Sequence, residues 1–123
     1  MNRLEQPSPV IPQAESSFEK IFESTEFKVR LDKAMSDFSK SHINLSDTNN
    51  AKWQCIEVSW EFIKFLNDTE VIIPEMVEQG VAGVSHANIK GTPHTVAKIG
   101  NKLIDWTYRQ FDPESPFPYV YSL

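Results

Sequence analysis

The chain predicts an α+β fold, and three observations carry that prediction. Apolar residues recur at helical spacing through the first half, a two-residue hairpin loop joins two alternating runs in the second half, and the helical signals precede the strand signals instead of interleaving with them. A chain ordered this way builds N-terminal helices and one central helix that pack on a small antiparallel sheet.

Residues 1–15 hold Pro7, Pro9 and Pro12 with little periodicity, which is the composition of a flexible tail or linker. Residues 16–123 are then expected to form one domain. Ser16 and Glu19 are spaced as a capping box ahead of the apolar stripe Phe18, Ile21 and Phe22. A second helix is expected from about Glu26 to Ser41, where Phe27, Leu31, Ala34, Met35 and Phe38 recur at three and four residues. His42 to Asn50 is rich in Asn, Asp and Ser and reads as a turn.

Lys52 to Leu66 gives the strongest helical signal. Ile56, Trp60 and Ile63 form its expected buried stripe, with Ser59, Phe62 and Leu66 beside them. Val71, Ile72 and Ile73 stop at Pro74 and fit either a strand or the approach to a helix, and Met76 to Gly83 shows no clear period. From Gly91 onward the signals are β. His94–Ile99 and Lys102–Trp106 flank Gly100-Asn101, a hairpin loop of the Gly-X type. The C-terminus, with Pro113, Pro116 and Pro118 among aromatics, is expected to run extended along the surface.

Composition narrows the function. Hydrophobic content of 40% and charged content of 24% over 123 residues are those of a soluble globular domain. A formal net charge of −5, without clusters of Lys or Arg, disfavours nucleic acid and anionic membrane as partners. No apolar run approaches the roughly 18–20 residues of a membrane span, and the first residues lack a signal-peptide core. One cysteine cannot close an internal disulfide. A cytoplasmic location is therefore expected, and an effector delivered into a target cell would carry the same signature. No metal-ligand spacing and no phosphate-binding glycine loop occurs, so neither metal nor cofactor is expected. Nothing in the sequence specifies an oligomeric state.

Three residues carry chemistry. Cys55 is placed two or three residues inside its helix, where the helix N-terminus favours a thiolate and its free N–H groups can donate to an oxyanion. With Gly100-Asn101 as the loop, Ile99 pairs with Lys102, which sets Asp105 opposite Val96 and His94 opposite Thr107. His94 and Asp105 then project from one face as diagonal neighbours, within reach of a carboxylate–imidazole contact. The three residue types divide a nucleophilic reaction: the thiol attacks, the imidazole takes its proton, and the carboxylate holds the imidazole. Asn49 and Gln54 are the candidate oxyanion donors. His42 and His86 read as surface residues, Arg109 as a surface or salt-bridge residue, and Trp106 as core packing. Asp112 is the next carboxylate should Asp105 fail.

The stretch His94–Phe111, HTVAKIGNKLIDWTYRQF, resembles the His-strand-turn-strand-Asp segment of papain-fold (transglutaminase-like) cysteine enzyme domains found in bacterial polymorphic toxins and effectors. The segment WQCIEVSWEFIKFL resembles their nucleophile helix in position and character, and the likeness covers roughly residues 49–120. The resemblance implies a papain-like fold, with Cys55 as nucleophile, His94 as general base and Asp105 as the residue that orients it. It also implies a thiol-dependent hydrolase or acyl transferase acting on an amide bond of a protein or peptide, as a peptidase or glutamine deamidase. The segment between Cys55 and His94 is short for a papain-type peptidase and leaves little chain for substrate subsites. The alternative is a binding or inhibitor protein that keeps the fold without turnover. Its contact surface would be an exposed apolar patch at Phe111, Phe117, Tyr119 and Tyr121.

Overall fold

The computed structural model describes residues 18–123. The expected tail over residues 1–15, and Ser16 of the capping box, lie outside the described residues. Five helical segments come first: α1 at residues 18–23, α2 at Thr25–Ser41, α3 at Thr48–Ala51, α4 at Cys55–Asp68 and α5 at Pro74–Glu78. Four strands follow, β1 at Ala82–Ile89, β2 at Thr92–Ile99, β3 at Lys102–Asp105 and β4 at Tyr119–Ser122. They form one antiparallel sheet in the order β1-β2-β3-β4. The fold is α+β, with helices and sheet segregated along the chain as the sequence order requires.

Helix α2 follows its sequence pattern. The Ser24 side chain accepts the Phe27 N–H at 3.2 Å and caps the helix. Phe27, Leu31, Ala34 and Phe38 then bury one face. The stretch expected to be a turn before α4 is more ordered than that. Ile43–Ser46 forms a 3-10 turn, and Asp47 caps α3 by accepting the Asn49 N–H at 2.8 Å. The same small polar residues that signal a turn serve here as caps.

Helix α4 departs from expectation in two respects. It begins at Cys55, not Lys52, because Trp53 sits in left-handed backbone at φ +67, which interrupts the helix. Its buried face is Val58, Ser59, Phe62, Ile63 and Leu66, whereas Ile56 is 60% and Trp60 48% exposed. Two stripes satisfy helical spacing in this apolar segment, and packing on α2 and the sheet selects the one through Phe62. That ring meets Phe38 and Trp106 edge-on, each at 5.1 Å between centroids, and this trio forms the middle of the core. Trp106 is 1% exposed, as its expected packing role requires.

Val71–Ile73 is neither strand nor helix. The Val71 and Ile72 N–H groups both donate to the Leu66 carbonyl and close the end of α4, and Pro74 opens α5 as its first residue. Strand β1 begins within the stretch Met76 to Gly83 that shows no clear period and continues to Ile89. It is held by an eight-residue register with β2 and a two-residue turn in which Lys90 and Gly91 both take positive φ. The β2–β3 register is the one read from the sequence: Ile99 opposite Lys102, Lys98 opposite Leu103 and Ala97 opposite Ile104. The C-terminal segment is extended, and it also joins the sheet, with Tyr119 opposite Asp105 and Tyr121 opposite Leu103.

Candidate functional site

The hairpin register delivers His94 and Asp105 to each other. His94 Nε2 lies 2.8 Å from Asp105 Oδ2, and each side chain is 1% exposed. A one-residue slip would have put them on opposite faces. The second carboxylate oxygen, Oδ1, accepts the Thr107 N–H at 2.9 Å, and the Thr107 hydroxyl lies 3.4 Å from it. The Gln110 amide donates to that hydroxyl oxygen at 3.3 Å. Phe111 presents its ring edge-on to the imidazole, 5.0 Å between centroids at 83°. With Nε2 committed to the carboxylate, Nδ1 is the nitrogen left for proton transfer.

Helix α4 brings Cys55 to the same end of the sheet. The Ser59 hydroxyl donates to the Thr95 carbonyl at 3.3 Å, next in sequence to His94. Cys55 lies one helical turn before Ser59, about 5.4 Å along the axis. The segment before α4 is tied to the segment after Asp105. Arg109 donates from Nη1 to the Ser46 carbonyl at 3.1 Å and from Nε to the Ser115 carbonyl at 2.9 Å, with its guanidinium 5.8 Å from the Phe117 ring centroid. Arg109 is thus a half-buried staple, and among the described residues it has no carboxylate partner, contrary to its reading as a surface or salt-bridge residue.

Cys55 is the first residue of α4, closer to the helix end than the expected two or three residues inside, and it is half-buried. The first bond from the turn back to the cap runs from the Val58 N–H to the Gln54 carbonyl at 2.9 Å, so the N–H groups of Cys55, Ile56 and Glu57 precede it. Among the described residues the Cys55 thiol makes no hydrogen bond. The structure therefore joins His94 to Asp105 and sets Cys55 at their end of the sheet without a thiol–imidazole hydrogen bond. Gln54, at the N-cap of α4, is half-buried, and among the described residues its side chain makes no hydrogen bond. Asn49 is exposed on α3.

The remaining candidates fall outside this cluster. His86 is exposed and meets the Thr95 hydroxyl at 3.3 Å. His42 stacks on Phe38 at 3.9 Å and is half-buried, so it is less exposed than expected. Asp112 accepts the Glu114 N–H and serves its own turn. The aromatic residues Phe111, Phe117, Tyr119 and Tyr121 are half-buried, not an exposed patch, because Phe111 and Tyr119 pack on Tyr108, Tyr121 on Tyr119, and Phe117 on Trp106. Burial chiefly, with Tyr119, Asp112 and Asp105 nearby, raises the Tyr108 phenol above its ordinary value. Burial chiefly, with Asp105, Tyr119 and Tyr108 nearby, does the same to Tyr121. Among the exposed large apolar residues are Trp53 at 92%, Ile56 and Trp60, which flank Cys55 in the sequence.

Sequence reasoning missed Thr107 and Gln110. The signal available was an Asp followed two residues later by a polar residue, the spacing at which an Asp side chain takes a backbone N–H. Among the described residues no group of His, Cys, Asp and Glu side chains is arranged to hold a metal ion, and no helix is long and apolar enough to cross a membrane. Comparison with family models, curated proteins and solved structures gave no match.

Proposed function

We propose that this chain is a papain-like cysteine enzyme that attacks an amide carbonyl of a protein or peptide. The observation that carries the reading is the buried His94–Asp105 contact of 2.8 Å at the end of the sheet where the Cys55 end of α4 lies. The Cys55 sulfur attacks the carbonyl carbon while its proton passes to His94 Nδ1. The Cys55 N–H, with the Gln54 amide as the candidate second donor, takes the developing oxyanion. The C–N bond breaks as Nδ1 returns the proton to the leaving nitrogen, leaving a thioester on Cys55. Water, deprotonated by the same nitrogen, then releases the acid and the free thiol. A side-chain carboxamide as substrate makes this a deamidation, and a backbone amide makes it proteolysis.

A second reading, a binding protein without turnover, is favoured by the absence of a Cys55–His94 hydrogen bond and by the exposed Trp53, Ile56 and Trp60. p-Nitrophenyl acetate separates the two. The enzyme reading expects the acetyl group on Cys55 by mass spectrometry, little transfer in His94→Ala and none in Cys55→Ala. A folded wild-type protein that leaves Cys55 unacetylated supports the binding reading.

A further inference from the structure

We infer that Thr107 and Gln110 are positioning residues that act through Asp105 to hold His94 in the tautomer bearing its hydrogen on Nε2. The inference rests on the enzyme reading only for the use made of the ring; the tautomer itself follows from donor and acceptor inventory.

A backbone N–H can only donate, so the Thr107 N–H at 2.9 Å assigns Asp105 Oδ1 as an acceptor. The Thr107 hydroxyl has one hydrogen and three neighbours. The Gln110 Nε2 amide is one, at 3.3 Å, and it too is a donor, so it occupies a lone pair of the hydroxyl oxygen. The hydrogen must then go to Asp105 Oδ1 at 3.4 Å or to His94 Nε2 at 3.5 Å. Were Nε2 bare, it could take that hydrogen, but it would then face Asp105 Oδ2 at 2.8 Å as one acceptor against another, between side chains that are each 1% exposed. With the hydrogen on Nε2 every contact is satisfied at once. Oδ2 receives Nε2–H, and Oδ1 receives both the N–H and the hydroxyl of Thr107.

The Gln110 amide decides the direction of this chain. Turned the other way, it would accept the Thr107 hydroxyl hydrogen and leave Oδ1 with one donor fewer. The Gln110 backbone N–H also bonds the Thr107 carbonyl at 3.1 Å across one 3-10 turn, Tyr108–Gln110, which keeps the side chain beside that hydroxyl. Phe111, next along, closes the side of the ring. One short run, Asp105 to Phe111, thus supplies the acceptor, its orienting donors and a wall for a single imidazole, while Trp106 anchors the run in the core.

The test reads the ring directly. Nitrogen NMR of histidine-labelled protein at neutral pH distinguishes the two tautomers of His94. The wild type is expected to show Nε2–H alone. Thr107→Val, which removes a hydrogen bond to the carboxylate, is expected to shift the tautomer ratio by roughly tenfold toward Nδ1–H, and Gln110→Leu, which removes a bond to the neutral Thr107 hydroxyl, by about threefold. Thr107→Ser, which keeps the hydroxyl, should restore the wild-type spectrum. A merely structural role would lower the melting temperature and leave the tautomer alone. Should Thr107→Val not fold, Gln110→Leu decides, since Gln110 is only half-buried. A folded Gln110→Leu protein with an unchanged Nε2–H spectrum overturns the inference. Acetyl transfer to Cys55 is scored separately: a tautomer that responds in a protein that never acetylates Cys55 sustains this inference and removes the enzyme reading.

Discussion

Asp105→Asn is the most informative single change, because the structure dictates how the new amide must sit. The Thr107 N–H lies 2.9 Å from Oδ1 and can only donate, so the Asn oxygen takes that position. The NH2 group then occupies the place of Oδ2, 2.8 Å from His94 Nε2, and points a donor at it. Nε2 becomes an acceptor and the ring hydrogen moves to Nδ1, the nitrogen that receives the thiol proton in the proposed reaction. The shape of the site is unchanged and a neutral hydrogen bond replaces a charge-assisted one, so stability should fall by about 1–2 kcal/mol, or roughly 4–8 °C in melting temperature. Acyl transfer should fall far more. The equivalent change in a serine triad costs about 10⁴ in kcat, and a thiol that needs less help from its base sets a loss of about 10²–10⁴ here. Acetyl transfer from p-nitrophenyl acetate, followed beside thermal unfolding, measures both effects. A variant that loses the expected stability yet acetylates Cys55 at the wild-type rate would refute the orienting role and reduce Asp105 to a structural partner of His94.

Three further outcomes follow from particular contacts. Phe62→Ala removes a ring that is 0% exposed between Phe38 and Trp106, and chemical denaturation should register a loss of about 3–5 kcal/mol. Trp53→Gly relieves a non-glycine residue held at φ +67 while giving up no buried side chain, so the same assay should show a gain of roughly 1 kcal/mol. Tyr108 and Tyr121, whose phenols are raised first by burial, should ionise above the ordinary value of 10.0 when followed by phenolate absorbance. The folded state then holds those protons more tightly than the unfolded chain does. Their contribution to stability is full below about pH 10 and is lost as pH rises through the raised values.

What was legible in the sequence is what local chemistry dictates. Gly100-Asn101 between two alternating runs fixed the β2–β3 register, and the register alone placed His94 beside Asp105. The α2 stripe was readable because only one face of that helix is apolar. The face of α4 was not, since Ile56, Val58, Trp60, Phe62, Ile63, Phe65 and Leu66 encircle it and the choice falls to the elements packed around it. Strand β1 carries Gly83, Ser85, His86 and Asn88, which alternate poorly, and it exists through pairing with β2. The prolines ahead of β4 concealed a strand whose partner is β3. Thr107 and Gln110 escaped because a 3-10 turn has no hydrophobic period to announce it, and Trp53 because left-handed backbone at a bulky residue has no sequence signature.

The central claim is that Cys55 is a nucleophile served by His94, and the rate at which iodoacetamide alkylates Cys55 at neutral pH tests it most directly. Wild-type protein should react at least tenfold faster than His94→Ala, with both proteins folded and Cys55 the one thiol present. Equal rates in the two proteins would contradict the claim and leave Cys55 an ordinary half-buried thiol at the start of a helix.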